Sequence, residues 1–498
     1  MGRTTTSASR NVRRPAVRKA AGLWPRSLLP GLIALGAVAC DGSAIDLPEP
    51  PPVADLRFQS RPCTERGEGP GLTTTCGIVA LPERYEDPGG GNVVIRVAMM
   101  AGGPAAAEQP PVVLLDGPAG GSGIASAIYQ AAWAVERPLQ KLLANHNVLA
   151  IDLRGTGASE PRLACEGLRL EPLSPPPADR FEFTGSPITR CVQALGEQGV
   201  TLAAYGTRTA AVDVAQVVRA LGFKRFHLVG SGYGARVALE LLRVAPGGVE
   251  AVVLDSLTPP DVDALLEEGA SFEAALNAVY ALCAADPACQ AVAPELPTAL
   301  PTVVRRLAAS PVDLSTHGGL VTLNGRSFLQ AVQSTLRDGG SPDVLIRQLE
   351  RARVGDYGYF AAVLGSPRQA SSLPVNLTVM CAEQMAFTSP EAIEMRAAAQ
   401  AAPFADALLA RYYAVACPLW PVGRSSTQLR EPVSSPLPTL LLHGRLDPVT
   451  PGYWMRTAQR TLGGGRTLEL PQEGHAVLRR PCGATLAAKF LQQPRMPL

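Results

Sequence analysis

The stretch that decides the fold of this chain is LVGSGYGA at residues 228–235. A largely apolar run enters it at 226–229, and RVALELL at 236–242 leaves it with apolar residues at helical spacing. A strand, a sharp turn of small residues and a helix are the context of a nucleophile elbow, G-x-S-x-G. Gly230 and Gly234 occupy the positions where larger side chains would collide with strand and helix. The residue between them, where the motif has serine, is Gly232.

A second register of the same turn makes Ser231 the nucleophile. That register puts Val229 and Tyr233 at the two positions that must be small, and it points the hydroxyl in another direction. We therefore take Gly232 as the nucleophile position and keep Ser231 as an alternative nucleophile. A glycine-rich turn of another fold is a third interpretation, which the downstream sequence disfavours.

Strands and helices alternate on both sides of the elbow, which indicates an α/β fold with a parallel sheet. The pattern predicts a helix at 207–221 and strands at 73–81, 92–100, 111–115, 147–151 and 250–255. Residues 165–206 are predicted to be an irregular, proline-rich connection. A mostly helical block follows at 259–436, and strands return at 438–442 and 467–470 before a helix at 483–491. The block therefore reads as an insertion, which we call the cap (residues 259–436).

Two stretches after the cap carry an acid and a base. HGRLDPVTP at 443–451 and PQEGH at 471–475 each follow a predicted strand. Nucleophile position, acid, then histidine is the chain order of α/β hydrolases. In that arrangement His475 acts as general base and Asp447 orients it and stabilises its cation. Alternatively, Asp447 stabilises a turn and His475 is a surface loop residue.

The N-terminus carries the marks of an export signal. A basic segment precedes a short apolar run at 28–39, which Pro30 and Gly31 interrupt, so a membrane span is disfavoured. AVAC at 37–40 is similar to the lipobox of bacterial lipoproteins, in which Cys40 becomes lipidated. An ordinary signal peptide cut near Ala39 is the alternative. We expect a lipoprotein of the cell envelope, held to its membrane by a lipid anchor. The alternative is a secreted protein.

The domain organisation that follows has five segments. They are a signal peptide at 1–39, a tether at 40–54, a first core part at 55–258, the cap at 259–436 and a second core part at 437–498. The formal net charge of +2 gives no reason to expect nucleic acid. The oligomeric state cannot be predicted from this sequence.

Ten cysteines in an exported chain predict disulfides. Short separations favour Cys63–Cys76 and Cys283–Cys289, and order along the chain suggests Cys165–Cys191 and Cys381–Cys417. Connectivity does not follow from sequence alone. With Cys40 set aside, Cys482 is our choice for the unpaired thiol. No C-x-x-C pair or histidine cluster accompanies the cysteines, so we expect no metal and no cofactor.

Over most of residues 55–492, the chain resembles the exported proline iminopeptidase and tripeptidyl aminopeptidase (TAP-like) family of α/β hydrolases. The resemblance rests on the elbow and on four stretches, 120–123, 152–159, 253–255 and 447–451. It implies a fold of mostly parallel sheet with helices on both faces and a helical cap inserted before the strand that carries the acid. It also implies that Glu383, beside Cys381, meets the α-amino group of a peptide. The alternative for Glu383 is a solvated acid beside a disulfide.

The chain departs from that family at two places. Gly232 replaces the catalytic serine, and DGPAGG at 116–121 stands where the family has His-Gly-Gly-Pro-Gly-Gly. The resemblance places the oxyanion site at Gly117, Pro118 and Tyr233. Proline has no N–H, and losing one oxyanion donor costs about 10²–10³ in kcat. Asp116 also puts a negative charge where the family has histidine.

Two functions therefore stay open. The first is a hydrolase that removes N-terminal residues or short peptides, or cleaves a related amide or ester. The second is a catalytically inactive pseudo-hydrolase, a lipoprotein that binds a peptide or a partner. Gly232 and Pro118 favour the second, because both damage the same reaction. The retained Asp447 and His475 are compatible with either.

Overall fold

The structure, a computed structural model, describes residues 53, 56–63, 71–166, 168, 186–338, 341–366, 371–400, 404 and 409–496. Cys40, the predicted signal peptide and all but residue 53 of the predicted tether lie outside the described residues. The two hypotheses about the N-terminus therefore stay predictions.

Nine strands form one sheet in the order β1-β2-β3-β5-β4-β6-β7-β10-β11. The pairings β1–β2, β2–β3 and β3–β5 are antiparallel. The remaining pairings of this sheet, in the order β5-β4-β6-β7-β10-β11, are parallel. The strands are β1 Phe58–Ser60, β2 Thr74–Pro82, β3 Asn92–Met100, β4 Val112–Leu115, β5 Val148–Asp152, β6 Phe226–Ser231, β7 Val249–Asp255, β10 Ser435–Gly444 and β11 Leu462–Leu470. A separate antiparallel hairpin is formed by β8 Val312–Thr316 and β9 Gly319–Leu323.

The α-helices of the core part are α1 Gly123–Ile128, α2 Gln140–Leu143, α3 Ser186–Glu197, α4 Thr207–Ala220, α5 Tyr233–Val244, α15 Gly452–Gln459 and α16 Pro481–Gln492. Those between β7 and β10 are α6 Ala264–Ala285, α7 Pro287–Val292, α8 Leu296–Ala309, α9 Gly325–Arg337, α10 Pro342–Arg353, α11 Gly358–Gly365, α12 Leu373–Glu383, α13 Pro390–Ala399 and α14 Ala410–Ala416. Short 3-10 or π turns occur at Pro104–Ala107, Tyr129–Trp133, Leu202–Tyr205, Met385–Phe387, Cys417–Leu419, Thr427–Arg430 and Val477–Arg479.

Two apolar clusters cover the two faces of the sheet. Alternate residues of one strand fall into different clusters, as Leu114 and Leu115 do in β4, because side chains alternate across a strand. Helices α4, α5 and α15 pack on one face, and α1, α2 and α16 pack on the other. The predicted α/β-hydrolase architecture, with helices on both faces of a mostly parallel sheet, is confirmed.

The segment between β7 and β10 has an apolar core of its own. Buried side chains of α6 and α8–α11, among them Phe272, Phe328 and Phe360, form this third cluster. The hairpin β8–β9 inside the segment was not predicted. Helices α12–α14 pack instead on the core cluster around α4 and α5.

The prediction that 165–206 is wholly irregular is wrong at α3. Its buried side chains are Ile188, Cys191 and Leu195, which lie three, four and seven residues apart and so share one helix face. This short helical pattern was missed in the sequence because a proline-rich stretch precedes it.

The disulfide pairing is confirmed in full for the described residues. Four bridges join Cys63–Cys76, Cys165–Cys191, Cys283–Cys289 and Cys381–Cys417. Cys482 is a free, exposed thiol. Each bridge closes a loop and stabilises the fold by about 2–4 kcal/mol.

Two buried histidines make the fold sensitive to acid. His146 and His227 pack edge to face with ring centroids 5.3 Å apart, and each has one buried ring nitrogen without a hydrogen-bond partner. Burial, and next the neighbouring His146, lower the pKa of His227 to about 4. Burial likewise lowers the pKa of His146. Both rings are therefore neutral in the folded protein at neutral pH.

We expect stability to fall as pH drops from about 6.5 to 4. In that window the unfolded chain binds a proton at His227 and the folded chain does not, so acid favours unfolding. The loss from His227 alone is about 3 kcal/mol at most. Urea unfolding at pH 7, 5.5 and 4.5 tests this, with His227→Phe as the comparison. The difference between the two proteins should vary with pH, and a constant difference would contradict the assignment.

Candidate active site

The elbow has the geometry its motif requires. Strand β6 ends at Ser231 and α5 begins at Tyr233, and Gly232 between them has φ 58° and ψ −123°. A β-carbon at Gly230 would lie 2.6 Å from Cα of Ala235, and one at Gly234 would lie 2.0 Å from the carbonyl oxygen of Leu115. Both glycines are therefore sterically required, whereas Gly232 is not.

The Ser231 hydroxyl is directed away from the histidine. Ser231 is buried, and its Oγ donates to Oδ2 of Asp255 at 2.9 Å. The structure gives it no hydrogen bond to His475. The hydroxyl therefore pairs with a buried carboxylate and not with His475, so it lacks the serine–histidine contact that activates a serine nucleophile.

His475 and Asp447 come together as the sequence predicts. Nδ1 of His475 lies 2.8 Å from Oδ2 of Asp447. The carboxylate also accepts the backbone N–H groups of Val449 and Thr450 at 2.8 and 2.9 Å and the hydroxyl of Thr450. Asp447 thus contacts the histidine and also holds the turn before α15, as its two interpretations from sequence expected.

Electrostatics favour the charged form of this pair. Burial raises the pKa of Asp447, but His475 and the hydrogen bonds from Thr450 outweigh it, so that the pKa lies below its usual range. Burial lowers the pKa of His475, but Asp447 and then Asp255 outweigh it, so that the pKa lies above its usual range. A carboxylate only accepts hydrogen bonds, so Nδ1 carries the proton and the neutral ring has its lone pair on Nε2.

Position 232 lies beside that lone pair. A β-carbon there would be 3.5 Å from Nε2 of His475 and 3.6 Å from the carbonyl oxygen of Gly117. Both are ordinary van der Waals distances. A serine side chain therefore fits at this position with its hydroxyl next to the base, and glycine leaves the base without that partner.

The loop of Gly117 and Pro118 presents a carbonyl oxygen next to position 232. The peptide bond between them has no N–H, and its carbonyl oxygen faces position 232. The backbone N–H of Tyr233 remains, because the first N–H groups of a helix have no partner within the helix. The loop is fixed by the cap, since the N–H of Ser372 donates to the carbonyl of Gly120 at 2.7 Å.

Two contacts at the site were not predicted from sequence. Asp116 is buried and pairs with Arg479 at 3.2 Å, so its charge is compensated. Asp255 accepts the backbone N–H groups of Val477 and Leu478 at 3.1 and 3.0 Å and so holds the segment after His475. Arg479 lies four residues after His475 and belongs to no sequence motif that marks it as a site residue.

Glu383 is placed inside the protein. It is 3 % exposed, so its interpretation as a solvated acid is wrong. Its two oxygens accept the N–H and the hydroxyl of Thr207 at 2.7 and 2.6 Å, at the first turn of α4. The Thr207 hydroxyl also lies 3.1 Å from the Tyr233 hydroxyl. Glu383 thus links α12 of the cap to α4 and, through the Thr207 hydroxyl, to Tyr233 of the helix that follows the elbow.

We expect Glu383→Ala to lower the free energy of unfolding by about 1–3 kcal/mol, because it leaves the buried N–H and hydroxyl of Thr207 without an acceptor. Glu383→Gln keeps an acceptor oxygen and should lose less. Urea unfolding monitored by tryptophan fluorescence measures both. Equal losses in the two variants would show that charge, and not the hydrogen bonds, stabilises this contact.

A small cleft with a cavity volume of about 10 Å³ adjoins the loop, lined by residues that include Pro118, Arg154, Tyr205, Tyr233 and Val375. Such a volume holds about one water molecule. Within the described ranges, no group of three or more histidine, cysteine or acidic side chains is arranged to bind a metal ion. No described helix is both long enough and apolar enough to cross a membrane.

Comparison with known proteins agrees with this architecture. Residues 110–311 match a family model described as alpha/beta hydrolase fold, and residues 402–498 match one described as TAP-like protein. The chain therefore has the α/β-hydrolase fold, with a TAP-like C-terminal segment.

Curated relatives and solved structures add more distant similarities. The chain is 25% identical to serine protease Hip1 of Mycobacterium tuberculosis over 488 residues, covering 88% of this chain and 89% of that protein. It is 29% identical to carboxylesterase B of the same species over 230 residues, 44% and 43% of the two chains. An esterase structure from Exiguobacterium antarcticum aligns at 13% identity with a TM-score of 0.37, covering 80% of this chain and 96% of that one.

Proposed function

We propose that this protein binds a peptide-type ligand in the site of a TAP-like α/β hydrolase and forms no acyl-enzyme. The observation that carries the proposal is the pair of groups around position 232. Gly232 supplies no hydroxyl, and the peptide of Gly117 and Pro118 has no N–H and places its carbonyl oxygen 3.6 Å from the β-carbon position of residue 232. The names of two relatives, a serine protease and a carboxylesterase, support a peptide or ester as the ligand class.

The two changes act on the same transition state. Losing a serine nucleophile costs on the order of 10⁶ in kcat in the measured subtilisin case, about 8 kcal/mol of barrier. A missing oxyanion donor costs about a further 10²–10³. Together these losses leave little of the covalent reaction.

A second candidate is slow hydrolysis by a water molecule that His475 activates. The observation that favours it is the intact contact of 2.8 Å between His475 and Asp447, with the histidine side chain 18% exposed. A general base typically contributes about 10²–10⁴ in rate. This candidate requires turnover that His475→Ala abolishes.

Unmodified tripeptides with free amino ends test the proposal. Binding is measured by calorimetry, and cleavage is followed by chromatography of the same samples over a day. We expect saturable binding with intact peptide recovered. Cleavage that is lost in His475→Ala supports the second candidate, and rapid cleavage that survives in that variant contradicts both.

We also propose that the mature protein is a lipoprotein of the cell envelope, with Cys40 as the lipid-bearing residue. The basic and apolar segments followed by AVAC at 37–40 support this. Membrane fractionation should recover the full-length protein with membranes and Cys40→Ala in the soluble fraction. Full membrane recovery of Cys40→Ala would contradict the assignment.

A further inference from the structure

Two hydrogen-bond acceptors converge on the space above Gly232, by which we mean the volume that a side chain at position 232 would occupy. The first is Nε2 of His475, which carries the lone pair when the ring is neutral, because Nδ1 then donates to Asp447. The second is the carbonyl oxygen of Gly117. They lie 3.5 and 3.6 Å from the same point. A catalytic serine would satisfy the first acceptor with its own hydroxyl, and glycine does not.

The charges around this space favour a cation. Asp447 and Asp255 both act on His475 strongly enough to raise its pKa in spite of burial. The cation that faces them, Arg479, opposes this effect, but its guanidinium pairs with Asp116. The hydroxyl of Thr450, 3.4 Å from Nδ1, adds no charge. The same negative charges that favour the protonated His475 ring therefore stabilise a positive group placed above Gly232.

We propose that the space above Gly232 binds a primary ammonium group. Two of its N–H bonds point to Nε2 of His475 and to the oxygen of Gly117, and the third stays in water. Such charge-assisted hydrogen bonds are stronger than neutral ones. The inference rests on the proposed function, because a protein that forms an acyl-enzyme would need this space for the nucleophile. The free amino end of a peptide and a small primary amine share this chemistry.

Glu383 is buried, and each of its carboxylate oxygens accepts one hydrogen bond from Thr207 and keeps capacity for a second. The proposed ammonium site at the elbow is separate from the cap glutamate that the family resemblance indicated. This places the ligand's charged end beside the cleft lined by Tyr233 and Pro118.

The site has a defined pH dependence. Protonation of His475 turns Nε2 into a donor and puts a positive charge beside the ammonium. Binding of an alkylammonium ion, which keeps its own proton below about pH 10, must therefore weaken as pH falls through the pKa of His475. An anion shows the opposite trend, since it binds the imidazolium.

Nuclear magnetic resonance of the histidine ring signals tests the proposal, with n-butylammonium and the matched anion n-butyrate as probes. We expect n-butylammonium to shift the His475 signals saturably at pH 8 and at least tenfold more weakly at a pH well below the pKa of His475. Gly232→Ala, whose methyl group fills the space, should weaken binding at least tenfold. Should that variant unfold, the comparison of the two probes on the unmodified protein decides. Stronger binding of n-butyrate at pH 8, or unchanged n-butylammonium binding in folded Gly232→Ala, would overturn the proposal.

Two further measurements identify the source of the bound amine and test the proposed function separately. Tri-alanine amide is compared with its N-acetylated form, and a tenfold preference for the free amine supports a peptide amino end as the ligand. Equal binding of the two, with n-butylammonium still bound, supports a small amine instead. Cleavage of tri-alanine amide in the same tubes reports on the proposed function separately. Failure of n-butylammonium to bind without any cleavage refutes the ammonium site alone.

Discussion

Gly232→Ser should make this protein react with a fluorophosphonate and should raise its peptidase or esterase rate about 10³–10⁴-fold. The β-carbon position is 3.5 Å from Nε2 of His475, so the new hydroxyl reaches the base. The full value of a serine nucleophile is on the order of 10⁶ in kcat. About 10²–10³ of it stays lost, because Pro118 provides no donor to the oxyanion.

The same change should cost about 1–3 kcal/mol of stability, since φ of 58° is strained for any residue with a side chain. Gly232→Ala is the matched control, because it carries the same strain and no hydroxyl. It should lose similar stability and stay unreactive. Gly232→Ser with His475→Ala should also stay unreactive. Labelling of the alanine control would place the reactive group elsewhere.

Asp213→Ala should lower the free energy of unfolding by about 3–5 kcal/mol, because it breaks a buried ion pair and leaves a charge without its partner. Arg154 contacts the two Asp213 oxygens through Nε and Nη2, both at 2.6 Å, and each side chain is 1% exposed. Tyr85 also donates to Asp213 at 2.8 Å. The pair joins the loop after β5 to α4, which packs beside the elbow helix.

The exposed pair of Arg351 and Asp356 provides the control, with side chains 62% and 46% exposed. Asp356→Ala should hardly move the urea midpoint, because solvent screens exposed pairs. Asp213→Ala should move it strongly. Similar midpoints for the two variants would mean that the Arg154 pair adds nothing to stability beyond a surface contact.

The sequence was sufficient for the chain order of the site and for every strand of the nine-stranded sheet except β1. Apolar runs of four to six residues located β4, β5 and β7, and the small residues Gly230 and Gly234 fixed the register of the elbow. The steric reason for those glycines is local, which is why a motif captures it. His475 and Asp447 followed because they stand after consecutive strands, and parallel strands bring their ends together.

What the sequence did not predict depends on contacts between distant segments. No partner for the Asp116 charge was apparent from the sequence, because Arg479 lies 363 residues further on. A solvated Glu383 stayed an alternative because Thr207, its partner, lies 176 residues away in a different part of the fold. The carbonyl oxygen of Gly117 faces position 232 because of how the peptide unit between Gly117 and Pro118 is oriented. Side-chain patterns in the sequence do not predict that orientation.

Gly232 stands in the turn between β6 and α5, beside His475, at the position where a nucleophile elbow carries its serine. The most direct measurement is the intact mass of the unmodified protein after incubation with excess fluorophosphonate. We predict no mass increase under conditions that label Gly232→Ser stoichiometrically. One adduct per chain on the unmodified protein, mapped to Ser231 and lost in Ser231→Ala, would contradict the account.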